Sequence, residues 1–214
     1  MRLALVLLLS LVLQACASKS KLLGDQVYPF EGGKVSVVDD FGDCFISIDG
    51  PVNKSLEKAF NKALEQVSEM ECVEKIVMIS SHGGDLDISL HIGREIRVQE
   101  FSTDIHGFCE SACAFIYAGG IRRFVHQNSH ISADSKLGVH QPASELFFRQ
   151  CIRGKEKDPL TMQKISQYLA QMLPKEAAIK LTQAMFDTPC NQIAYIDANT
   201  LLRSGIATEK VDFH

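Results

Sequence analysis

Three short stretches hold residue types that could carry out acyl transfer. The first is Phe108-Cys109-Glu110-Ser111-Ala112-Cys113-Ala114, where small side chains surround one hydroxyl. A strand pattern precedes it and a helix pattern follows, so Ser111 falls at a helix N-terminus, where the dipole favours developing negative charge. The same position also suits a plain N-cap or a close packing contact. The second is Gly138-Val139-His140-Gln141-Pro142, in which His140 closes a short strand and could act as general base for Ser111. Structural roles are the commoner fate of a histidine, and His82, His91, His106, His126, His130 and His214 compete with it. The third is Gly83-Gly84, between an apolar strand and a helix. Glycines let the backbone present its N–H groups without Cβ obstruction, although a tight turn needs the same residues.

Metal and nucleotide chemistry have weaker signals. Cys109 and Cys113 could ligate zinc, but no second cysteine pair at matching spacing follows. His126 and His130 have the i,i+4 spacing of a helical metal pair, yet Asn128 and Ser129 make that stretch a loop. No metal and no cofactor is expected. No glycine-rich phosphate loop with a lysine is present, so no nucleotide is expected either.

The elements that would position these residues alternate between strand and helix. Residues 35–38 and 44–48 read as strands joined by the turn at 39–43. Residues 55–71 read as an amphipathic helix, with Leu56, Phe60, Leu64 and Val67 on one stripe. Residues 76–79 form a wholly apolar strand of the kind buried on both faces of a parallel sheet. A helix is expected over 85–98, a strand over 103–108 and a helix over 110–118 ended by Gly119-Gly120. Strand-like pieces follow at 122–125 and 137–140, then helices at 163–172 and 176–185 separated by Pro174. This succession predicts an α/β fold, with right-handed crossovers lining up the strand-to-helix turns along one sheet edge.

Taken in order, Gly-Gly before a helix, Ser-Ala-Cys-Ala at a strand-to-helix turn, and Val-His-Gln-Pro some thirty residues later resemble the proteolytic subunit of the Clp protease. The closer likeness is to secreted bacterial relatives with a Cys-x-Ser-Ala-Cys motif. It covers roughly residues 35–211, and the segment from Tyr195 to Ala207 is similar to the family's closing helix, glycine and apolar pair. The resemblance implies a ClpP/crotonase-like spiral of ββα units. It implies Ser111 as nucleophile, His140 as base, and the Gly84 and Ala112 amides as the oxyanion hole. It also implies a peptide substrate and a homo-oligomer. The family's acid would fall near Ile193, where there is no carboxylate; Asn191 is the nearest polar candidate and Asp187 the nearest upstream acid. An asparagine can orient an imidazole but cannot offset its charge as a carboxylate does. His82 stands where the family has proline before the glycines, and Ser89 replaces a helix glycine. Two further readings of the same fold are a non-catalytic binding or assembly module and a crotonase-type acyl-CoA enzyme.

Composition and leader bound the setting. Of 214 residues, 46% are apolar and 22% charged, which excludes disorder, and the net charge of −4 gives no basic surface for nucleic acid. Residues 3–13 form an apolar run after Arg2, too short to span a bilayer but suited to a signal peptide. The run ends in Leu13-Gln14-Ala15-Cys16, which resembles a bacterial lipobox with Cys16 as the acylated residue; an ordinary signal cut after Ala15 or Ala17 is the alternative. Residues 1–15 are read as the signal peptide, 16–33 as a tether and 34–214 as the folded domain. Ala17 after the cysteine implies the outer membrane, with the protein held in the envelope facing the periplasm through its lipid anchor. The other six cysteines suit disulfides in an oxidising compartment. Six allow fifteen pairings, of which Cys44–Cys72, Cys109–Cys113 and Cys151–Cys190 is the one expected, with buried thiols as the alternative.

Overall fold

The structure is a computed structural model that describes residues 26–127, 134–142 and 159–211. Cys16, Cys151, His130 and the leader lie outside the described residues. The chain opens with an antiparallel meander of β1 (Gln26–Phe30), β2 (Gly33–Asp40) and β3 (Asp43–Asp49). Val35 and Val37 on β2, and Cys44, Ile46 and Ile48 on β3, are buried at alternate positions, the period a half-buried strand dictates. Strand β1 falls inside the stretch read from sequence as a tether. Its Tyr28 and Phe30 pack against the core, so ordered structure begins at least as early as Gln26.

Helix α1 (Lys54–Ser68) starts at Asn53, whose side chain accepts hydrogen bonds from the Ser55 and Leu56 amides. It buries Leu56, Phe60, Ala63 and Val67, and ends three residues earlier than the apolar pattern predicts. Strand β4 (Lys75–Ser81) lies parallel to β3. Val77 and Ile79 are fully buried, while Ile76 and Met78 are only partly so. The expected burial on both faces is therefore corrected: one face of this strand is partly open. Helix α2 (Leu86–Val98) returns the chain to β5 (Ser102–Glu110), parallel to β4, and α3 (Cys113–Ala118) follows at once.

The sheet forks at β5. Thr103 and Asp104 pair with β6 (Arg123–His126), whereas Phe108 to Glu110 pair with β7 (Lys136–Val139). The register to β4 jumps from Ile79↔Ile105 to Ser81↔Cys109, and Gly107 takes a φ of 97° within the bulge. Helices α4 (Pro159–Met172) and α5 (Lys175–Asp187) pack together, then β8 (Ala194–Asp197) pairs antiparallel with β7. Helix α6 (Ala198–Ser204) and β9 (Glu209–Val211) close the described chain, with β9 parallel to β6.

Two expected disulfides are present, Cys44–Cys72 and Cys109–Cys113. The second means that Cys109 and Cys113 are not zinc ligands. Cys190 is also disulfide-bonded. Among the described residues, no helix is long and apolar enough to cross a membrane.

Candidate active site

Ser111 occupies the sharp corner between β5 and α3. Its φ of 54° lies in the left-handed region, uncommon for a residue with a Cβ. Such a conformation costs about 1–3 kcal/mol and persists only where neighbours enforce it. Here three constraints do so. The Cys109–Cys113 bond spans the corner. The Ser111 amide donates to the Gly138 carbonyl at 2.8 Å. Helix α3, only six residues long and wholly buried, is held at its far end by Arg97, whose guanidinium donates to the carbonyls of Ala118, Gly119, Gly120 and Met172.

The turn after β4 packs directly on this corner. Gly83 has a φ of 83°, and a Cβ there would lie 2.9 Å from Ser111 Cβ and 2.8 Å from the Ala112 nitrogen. Gly84 has a φ of 148°, and its Cβ would meet the Val52 carbonyl oxygen at 2.2 Å. Both positions therefore require glycine. Val52 takes its own partners from either side, donating to Gly83 and accepting from Asp85. The amides of Gly84 and Ala112 make no hydrogen bond among the described residues, so both are available to a ligand oxyanion.

Strand β7 brings in the histidine. Its parallel register sets Glu110 beside Gly138, so His140, just past the strand end, emerges alongside Ser111 and Ala112. The His140 Nδ1 donates to the Gln141 carbonyl at 2.7 Å, which leaves Nε2 as the proton acceptor. No hydrogen bond joins Ser111 to His140 among the described residues. Both line one cleft of about 1010 Å³, together with His82, Gly84, Ala112 and Met185. Lys164 of α4 pairs with Asp87 of α2 along the same cleft.

Asn191 is exposed, beyond the end of α5, and is not among the residues lining the cleft. Asp187 is the last residue of α5. The segment after α5 does reach the site, because the Gln141 amide donates to the Thr188 carbonyl and the Gln141 side chain to the Phe186 carbonyl.

One charged group escapes the sequence reading. Glu110, buried beside Ser111, accepts a hydrogen bond from the Tyr195 hydroxyl and lies 2.6 Å from His82 Nδ1. Burial pushes its carboxyl upward, but the hydrogen bonds from His82 and Tyr195, with the charges of His82 and His140, outweigh that and hold it below the ordinary carboxylate range. The His82 ring stacks on Phe108 at 4.3 Å, which fixes it over the strand. In the sequence Glu110 reads only as part of a small-residue turn, because its partners His82 and Tyr195 come from 28 and 85 residues away in the chain.

No family model matches the chain, and no curated protein matches it in sequence. Solved structures do. ClpP1 from Listeria monocytogenes superposes with a TM-score of 0.60 at 18% identity, covering 79% of this chain and 92% of that one. The fold is ClpP/crotonase-like. The 1510-N membrane-bound stomatin-specific protease, in a mutant form, gives 0.57 at 16% identity over 78% of each chain. A probable enoyl-CoA hydratase, EchA3 from Mycobacterium tuberculosis H37Rv, gives 0.57 at 12% identity over 83% of this chain and 74% of that one. Structures titled as a protease and as a probable enoyl-CoA hydratase thus share this fold.

Proposed function

We propose that the protein is a lipid-anchored envelope serine hydrolase acting on peptides. The observation that carries this reading is the strained Ser111 corner, with the unpaired Gly84 and Ala112 amides and His140 Nε2 sharing one cleft. Ser111 attacks a carbonyl carbon while His140 takes its proton. The two amides receive the resulting oxyanion, and the His140 proton then passes to the leaving group. A crotonase-type reaction would use the two amides without a serine and histidine beside them.

Two groups share the work of the missing acid. The Gln141 carbonyl sets the imidazole tautomer, and Glu110 supplies negative charge that stabilises the protonated ring. Asn191 assists by orienting the imidazole when the His140 ring exchanges its Gln141 partner. The cleft opens on exposed Lys164 and Asp87 and contains Phe115 and Met185, which suits an extended or unfolded peptide.

Hydrolysis of a quenched fluorescent peptide library by the mature protein tests the reading. Activity should vanish in Ser111→Ala and His140→Ala and fall modestly in Asn191→Ala. A wild type with no turnover in any oligomeric state would favour the alternative, a binding or assembly module; the absence of a Ser111–His140 hydrogen bond among the described residues is the observation on its side. For the anchor, incorporation of a fatty-acid analogue should disappear in Cys16→Ala, and retained label would reject Cys16 as the acylated residue.

A further inference from the structure

The fork of the sheet holds a second cluster of reactive side chains, at the far end of β5 from Ser111. Asp104 and His106 are two residues apart on β5, so they share a face. His126 ends the neighbouring strand β6. One ligand atom from each of the three lies within 4.8 Å of the other two. Asp104 and His126 are buried, whereas His106 is exposed and faces the approach from solvent.

The buried two are paired with each other. His126 Nε2 sits 2.8 Å from both carboxylate oxygens of Asp104, but only Oδ2 receives a hydrogen bond. Oδ1 is buried and accepts no hydrogen bond among the described residues. A buried carboxylate oxygen without a donor is costly unless something else completes it, and an ion is one such partner. The fully buried Tyr117 hydroxyl likewise makes no hydrogen bond among the described residues. The rings of His106 and His126 stand edge to face with centroids 6.3 Å apart, so a small contraction brings both onto a common centre.

The backbone around the cluster is fixed. The Ser135 hydroxyl accepts from the His126 amide and donates to the Ile105 carbonyl, bridging the fork. Only the exposed His106, in the bulge before Gly107, needs to move.

We infer that Asp104, His106 and His126 bind a divalent late transition metal, with zinc the best match to two imidazoles and one carboxylate. Three protein ligands leave one tetrahedral position open to water. Ligation through His126 Nε2 moves that ring's single N–H proton to Nδ1, so a neutral imidazole and an ionised carboxylate face the ion.

The test is calorimetric titration of the untagged mature protein with zinc, using His106→Ala, which removes an exposed side chain and should fold. One equivalent should bind to the wild type, and His106→Ala should weaken binding by at least roughly tenfold. His91→Ala, an exposed histidine elsewhere, should leave the titration unchanged. A wild type without saturable binding, or equal affinity in His106→Ala, would overturn the inference. A thermal shift with zinc that disappears in His106→Ala gives a second readout, independent of any hydrolytic activity.

Discussion

At the scale of single residues, backbone conformation and buried charge govern the site. Gly84→Ala would press a Cβ into the Val52 carbonyl and displace one of the two unpaired amides. We expect turnover to fall by roughly a hundredfold or more, the usual consequence of losing an oxyanion donor, with far-ultraviolet circular dichroism unchanged. Glu110→Gln keeps the shape but removes the charge, and should lower turnover by about tenfold, through the weaker stabilisation of protonated His140. The same substitution has a defined pH signature. The Glu110 carboxyl is held below its ordinary range in the folded state, so its ionised form contributes stability at neutral pH. That contribution begins to fade as pH drops into the ordinary glutamate range and is lost as pH falls through the depressed folded value. The difference in melting temperature between wild type and Glu110→Gln should therefore be flat near neutrality and vanish only below the ordinary carboxylate range; a difference unchanged in strong acid would contradict it.

At the scale of elements, the corner depends on how tightly the short helix α3 is clamped. Gly93 on α2 and Gly119 after α3 touch, since a Cβ on Gly119 would lie 2.3 Å from the Gly93 carbonyl oxygen. Tyr168 of α4 closes the same contact, donating to the Phe115 carbonyl at 2.7 Å. Arg97 then satisfies carbonyls from both α3 and α4. Arg97→Ala leaves these acceptors without a donor and should cost about 2–4 kcal/mol in a urea melt, with activity falling as α3 loosens. The stripes of α1 and α2 and the strands from β2 to β5 are legible in the sequence because each has a clear period and a turn at its end. Strand β1 is not, because Pro29 and its flanking glycines read as linker and its pairing is with β2 on one side only. Strand β8 is likewise hidden, since Ala194 to Asp197 has little apolar alternation and becomes a strand through its pairing with β7. The fork of β5 depends on a bulge that no local pattern announces. Ser111, His140 and the glycine turn are readable because each sits at an element boundary marked by small residues. Glu110 with His82 and Tyr195 is not, because only the folded sheet brings them together.

At the scale of the whole molecule, covalent links add to an extensive aliphatic core. The Cys44–Cys72 bond closes a loop with a sequence separation of 28, tying the start of β3 to the segment after α1. Chain-entropy reasoning gives it about 3.5 kcal/mol. Cys44→Ala with Cys72→Ala should lower stability by about that amount while leaving Ser111 chemistry intact in the folded fraction. Breaking the four-residue Cys109–Cys113 link should have the opposite balance, a smaller stability loss of about 2 kcal/mol and a larger loss of activity, because that bond spans the proposed nucleophile Ser111. The proposed catalysis rests on activation of the Ser111 hydroxyl by His140 over two free backbone amides. Mass-spectrometric mapping of a fluorophosphonate adduct tests it most directly. A single adduct on Ser111 is expected in the wild type, at least roughly a hundredfold slower to form in His140→Ala; an adduct on another residue, or equal labelling in both proteins, would contradict that mechanism.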